Sequence, residues 1–170
     1  MAVTEIPVTP DLTANLLERV TFVDCYEATP VHKQDLAEIY WAIFAHSPDW
    51  VTWLMNTRNR IVGVFGLKTA RPDEDKSAHP LPTRDKIEVG KRLGMFTLLQ
   101  LNENQLVTGE NDSHLDFRIS LTWAGPKTIR LTTMVNTHNT LGKIYMAIIK
   151  PFHKLIVRTV INRALKAGRL

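Results

Sequence analysis

From His114 to Trp123 the chain alternates polar and apolar residues without a break. Leu115, Phe117, Ile119, Leu121 and Trp123 fall on one face of an extended strand, and His114, Asp116, Arg118, Ser120 and Thr122 fall on the other. Residues 128–138 repeat the pattern, with Ile129, Leu131, Thr133, Val135 and Thr137 on one face, and Ala124-Gly125-Pro126-Lys127 supplies the turn between the two runs. Upstream, residues 95–101 and 105–108 flank the turn Asn102-Glu103-Asn104. Strands joined in succession by short turns predict an antiparallel meander.

The period changes on either side of this region. Residues 21–27 are β-branched and aromatic and predict an earlier strand, ended by Thr29-Pro30. Over 31–45, Leu36, Ile39, Tyr40, Ile43 and Phe44 recur at helical spacing. Ser47-Pro48-Asp49 starts a second helix, expected to run to Phe65 before Gly66, with Ser47 as its cap. Residues 140–167 predict one long helix, with Ile144, Ile148, Phe152 or Leu155, Ile156 and Val160 as its buried stripe. Pro151 removes a backbone donor there and predicts a kink that costs ~3 kcal/mol. Burial of each large stripe residue contributes ~1.5–3 kcal/mol and outweighs it. Residues 1–19 predict a loosely held segment with a short helix near 12–20. Residues 69–84, with Pro72, Pro80, Pro82 and Asp73-Glu74-Asp75-Lys76, predict an exposed mobile loop.

Composition changes this picture little: 170 residues with 44% hydrophobic and 22% charged side chains suit one soluble domain with a real core. The lone cysteine, Cys25, permits no internal disulfide and reads as a small packed residue. No basic-then-apolar leader precedes Glu5 and Asp11, and no apolar run approaches the ~18 residues of a membrane span, so a cytoplasmic protein is expected. Charge is informative by position. After Asp116 there are ten basic and no acidic residues, against 11 basic and 17 acidic up to it. Mutual complementation of the two halves is the favoured explanation. An anionic partner is the alternative, with nucleic acid and peripheral membrane contact both disfavoured because the cations are spread along elements.

Strand, two helices, antiparallel strands and a long last helix make an α+β chain whose twisted sheet would curl around the final helix. In that order the chain resembles the helix-grip fold of START-related and birch-allergen-like proteins. In detail it resembles a bacterial family of uncharacterised proteins, the domain of unknown function 2867. The likeness rests on Pro48-Asp49-Trp50, Leu54-Met55, Arg58-Asn59 and Phe65-Gly66-Leu67-Lys68. It continues through Asp112-Ser113-His114-Leu115-Asp116-Phe117-Arg118, Gly142-Lys143-Ile144-Tyr145 and Pro151-Phe152-His153-Lys154, over roughly residues 45–160. The resemblance implies a curved sheet around the C-terminal helix with a ligand cavity between them, and no particular reaction.

Three functions follow as expectations. The first is a small-molecule binder holding an apolar or amphipathic ligand, lined by Leu115, Phe117, Ile119, Leu131, Val135, Tyr145, Ile148 and Phe152. The second is an enzyme using the same cavity. His114 and Asp116 would then form an oriented base and Arg118 would hold a carboxylate or phosphate, provided that all three point inward. A solvated outer face with a cross-strand charge pair is the favoured alternative for these three. The third is an interaction protein using the basic C-terminal half. His138 and His153 could join His114 in an acid–base or metal cluster, but no short ligand spacing is present, so no metal and no cofactor are expected. For His153 a local role is expected, donating to carbonyls freed by Pro151.

Overall fold

The computed structural model describes residues 3–10, 16–51, 53 and 87–170. The expected second helix beyond residue 53, the loop 69–84 and the motifs between Leu54 and Lys68 lie outside the described residues. So do residues 11–15, the first part of the helix expected near 12–20; its remainder, residues 16–20, is not helical.

Among the described residues seven strands form one curved antiparallel sheet: β1 (Thr4–Glu5), β2 (Phe22–Ala28), β3 (Arg92–Leu93), β4 (Phe96–Leu101), β5 (Gln105–Asn111), β6 (Leu115–Gly125) and β7 (Thr128–Thr137). Their order across the sheet is β1-β2-β7-β6-β5-β4-β3. The meander β4 to β7 is that expected from alternation. β1 and β3, two residues each, are too short to show a period.

Register assigns the faces. Asp24 stands opposite Thr133, which stands opposite Ile119, which stands opposite Thr108. These residues therefore share one face, and Leu115, Phe117, Leu121, Leu131, Val135 and Tyr26 lie on it too. Among the described residues α1 (Leu36–Phe44) and α2 (Thr140–Lys166) cover this face. Tyr40 of α1 meets Thr108, whose hydroxyl donates to the Tyr40 hydroxyl at 3.3 Å. Val157, Val160, Ile161 and Ala164 of α2 join Leu36, Ile39 and Ile43 of α1 in a core closed beneath by Leu98, Leu106, Leu121 and Leu131.

The opposite face is only partly polar and solvated. Cys25, Val107, Ser120, Thr132 and Met134 are all buried on it. The Thr132 hydroxyl donates to Cys25 Sγ at 3.2 Å. The expected solvated face is confined to the ends of its strands.

Helix boundaries follow from caps. α1 starts at Leu36, the first residue of its apolar period and later than the expected start at 31, because Asp35 and Glu38 form a capping box: Asp35 accepts from the Glu38 N–H and Glu38 accepts from the Asp35 N–H, both at 2.8 Å. Residues 49–51 are helical, as the Ser47-Pro48-Asp49 signal predicts, but the Ser47 hydroxyl donates backward to the Phe44 carbonyl at 3.2 Å instead of capping them. α2 begins where Asn139 Oδ1 accepts from the Gly142 N–H at 2.9 Å. It ends at Gly168, whose φ of 63° lets the Arg169 N–H reach back to the Ala164 carbonyl at 3.0 Å.

Of the stripe expected to bury α2, Val160 is buried and Ile156 packs half-buried against the core, but the residues before them face outward. Ile144, Ile148, Phe152 and Leu155 are 55%, 59%, 44% and 54% exposed. The buried residues are Gly142, Val157, Val160, Ile161 and Ala164. At 100° per residue these centre on the side opposite Ile144 and Ile148. Both faces of the helix carry apolar residues, so periodicity could not choose between them.

A buried aspartate and histidine beneath the long helix

Phe22, Asp24 and Tyr26 alternate onto the inner face of β2. Asp24 is 4% exposed, in a strand that is otherwise apolar on that face. Its carboxylate is met from above by His153 of α2: Nε2 lies 3.3 Å from Oδ1 and 3.2 Å from Oδ2. The Tyr26 hydroxyl donates to Oδ2 at 3.4 Å. The Phe22 ring stands edge-on to the imidazole at 5.8 Å, and Lys150 Nζ lies 5.4 Å from the centre of that ring. At the rim, Lys154 pairs with Glu5 of β1. Burial, reinforced by the Asp24 charge, pushes the Tyr26 phenol well above its usual value.

The cluster has a physical logic. A carboxylate this buried is costly unless it is hydrogen-bonded or paired. The imidazole and the phenol fill that role, and the imidazole keeps a partly open edge, with a fifth of its side chain exposed. Such an arrangement can hold a polar group of a bound molecule through His153 while Asp24 fixes the ring's orientation. His153 therefore does not serve the carbonyls around Pro151. It spans to the sheet, a partner 129 residues away in sequence.

His114, Asp116 and Arg118 are not brought to one point. β6 begins at Leu115, so His114 lies in the preceding bend, outside the alternation. Its ring is buried, with Nδ1 3.3 Å from Asp112 Oδ2, and stands edge-on to Tyr145 of α2 at 5.3 Å. Asp116 and Arg118 lie on the face turned from the helices. Asp116 Oδ2 meets His138 Nε2 at 3.1 Å. Arg118 donates through NH1 to the Phe117 carbonyl at 2.8 Å and the Glu110 carbonyl at 3.3 Å. Burial pushes the Arg118 guanidinium down, opposed by the nearby Asp116 and Glu110 carboxylates. Gly109, opposite Arg118 on β5, has no room for a side chain: a Cβ there would lie 2.2 Å from the Phe117 carbonyl oxygen and 2.9 Å from Arg118 Cδ.

Of the expected cavity residues, Leu115, Ile119, Leu131 and Val135 are buried on the inner face, and Phe117 is half-buried there against Phe96 at 5.0 Å. Tyr145 is half-buried at the start of α2. Ile148 and Phe152 do not belong with them, because both lie on the exposed side of the helix. Among the described residues no three His, Cys, Asp or Glu side chains stand together as metal ligands would, and no helix is long and apolar enough to cross a membrane.

The sequence signal for this cluster was a carboxylate at an inward position of an apolar strand. Asp24, between Phe22 and Tyr26, has that signature, and Cys25 beside it is the small packed residue expected, on the other face of the sheet.

Fold and site together define an α+β protein with a curved antiparallel sheet, covered on one face by two helices, and a buried carboxylate–imidazole contact beneath the longer one. The chain belongs to the family of proteins of unknown function DUF2867, whose sequence profile matches residues 16–160. No curated protein and no solved structure matches it.

Proposed function

We propose that this is a helix-grip fold and that the protein binds a small apolar or amphipathic molecule between the sheet and α2. One observation carries the reading. Between Gly142 and Val157 no side chain of α2 is buried, although the helix there runs over the sheet's inner face. The helix is seated at Gly142 on the sheet and from Val157 onward on α1, and between them it meets the sheet through His153 and Lys150. On the same inner face Leu115 and Val135 are buried outside the core cluster that holds Ile119 and Leu131, with Phe117 against that cluster, and Asp24, Tyr26 and His153 supply the polar group. An apolar body with one polar end fits that arrangement.

Native mass spectrometry of the protein as purified, with binding of the fluorescent amphiphile anilinonaphthalene sulfonate to the folded chain, tests this. A copurified molecule, or binding of about one probe per chain that Val135→Phe weakens several-fold and Ile148→Asp leaves intact, is the expected result. A wild-type protein that carries no molecule and takes up no probe while folded overturns the proposal.

A further inference from the structure

α2 carries a second apolar stripe, and the fold leaves it uncovered. Ile144, Ile148, Pro151, Phe152 and Leu155 share the side of the helix opposite its buried residues, and all five are exposed. A row of large apolar side chains facing water marks an interaction surface. Lys143 and Arg158 are exposed on one flank of the row, and Lys150 and Lys154, on the same side, turn toward the sheet, Lys150 over the Phe22 ring and Lys154 paired with Glu5. No acidic residue occurs in α2 or anywhere after Asp116. Among the described residues the carboxylates paired with α2 are Glu5, with Lys154 at the rim, and Asp24, buried under His153 on the opposite side of the helix. The outer face of α2 is thus apolar along its crest and basic along its flank.

We propose that this face docks on an anionic lipid surface. Ile144, Ile148, Phe152 and Leu155 would enter the boundary between headgroups and acyl chains, and the flanking cations would lie level with the phosphates, their stems extended along the helix. Charge complementarity selects this occupant. A nucleic acid would meet the cations and leave the aliphatic crest in water. A second copy of the chain, packed crest to crest, would bring two sets of the same cations together with no helix carboxylate to oppose them. An anionic bilayer satisfies both features, independently of what occupies the space beneath the helix.

Flotation of the full chain with vesicles of equal parts phosphatidylserine and phosphatidylcholine, compared with vesicles of phosphatidylcholine alone, tests the proposal. The protein is expected to float with the anionic vesicles only, and less as salt is raised. Ile148→Asp and Phe152→Asp each lower binding by about tenfold or more, and Lys143→Glu with Arg158→Glu lowers it similarly. All four positions are exposed, so circular dichroism should show each variant folded, and Ile144→Asp replaces any that is not. Folded wild-type protein that fails to float, or floats equally well as Ile148→Asp and Phe152→Asp, overturns the proposal. Self-association that Ile148→Asp abolishes, without vesicle binding, also overturns it and assigns the face to a second copy.

Discussion

Replacing Gly142 with alanine adds one methyl group at the closest approach between α2 and the sheet. A Cβ at this position would lie 2.1 Å from the His114 carbonyl oxygen, 3.1 Å from its carbonyl carbon and 3.4 Å from Thr137 Cβ. The oxygen would have to retreat by more than an ångström. It is not free to do so, because it accepts the His138 N–H at 3.0 Å. The helix cannot easily lift instead, because the Gly142 N–H is held by Asn139 Oδ1 and Asn139 Nδ2 donates to the Ser113 carbonyl at 3.2 Å. Overpacking of this kind costs ~1–3 kcal/mol, and loss of the cap costs ~1 kcal/mol more. Alanine's helix propensity returns ~1 kcal/mol. The net expectation is destabilisation by about 2 kcal/mol, a fall in Tm of roughly 4–8 °C for a chain of this size. Urea and thermal denaturation followed by circular dichroism measure it, with Gly125→Ala as control, since a Cβ there meets nothing within 4 Å and its φ is not positive. A Gly142→Ala protein that melts at or above the wild-type temperature would refute the seating of α2 on the His114 carbonyl.

Two further outcomes follow from burial. Burial pushes the phenols of Tyr26 and Tyr40 above their usual value, so the folded state keeps protons that the unfolded chain releases near pH ~10. The stability this contributes is complete below that pH and is lost as pH rises above it. Urea midpoints at about pH 9 and about pH 11 should fall less for the Tyr26→Phe, Tyr40→Phe double variant than for the wild type, and equal losses would contradict the assignment. Cys25 is buried and its thiol is pushed up, chiefly by burial, so Ellman's reagent should label it only on denaturation. Rapid labelling of the native protein would show that the face carrying Cys25 and Thr132 is open.

Much of the sheet was legible because a two-residue period over ten residues has no competing interpretation. The register of β6 on β7, with Leu121 opposite Leu131, follows from matching two such runs across one short turn. What alternation could not see lies at strand ends and across the sheet. His114 reads as one more polar position of β6, yet one bend before the strand is enough to place its ring against Tyr145. Asp24 stands out as a carboxylate in an apolar strand, but nothing in its segment or in that of His153 pairs the two. Their contact depends on α2 crossing β2, which is set by where α2 is seated rather than by either local pattern. The capping box at Asp35 and Glu38 is visible as Asp-x-x-Glu and marks the start of α1 at Leu36, where a range opened just after Pro30 begins too early.

The long helix shows why hydrophobic periodicity identifies a helix more surely than it orients one. A stripe on one side of α2 would have been buried by default. With apolar residues on both sides, the choice falls to features that periodicity ignores. Gly142 admits only one side of the first turn to the His114 carbonyl. His153 can satisfy the Asp24 carboxylate only if its own side faces the sheet, and turning it away would leave that carboxylate buried without its imidazole partner. At the other end, Val157, Val160, Ile161 and Ala164 meet α1 on the same side. These three constraints agree on one rotation of the helix. That rotation requires Ile144, Ile148, Phe152 and Leu155 to face outward, so the exposed crest is a consequence of how the buried polar contact and the close glycine approach are satisfied.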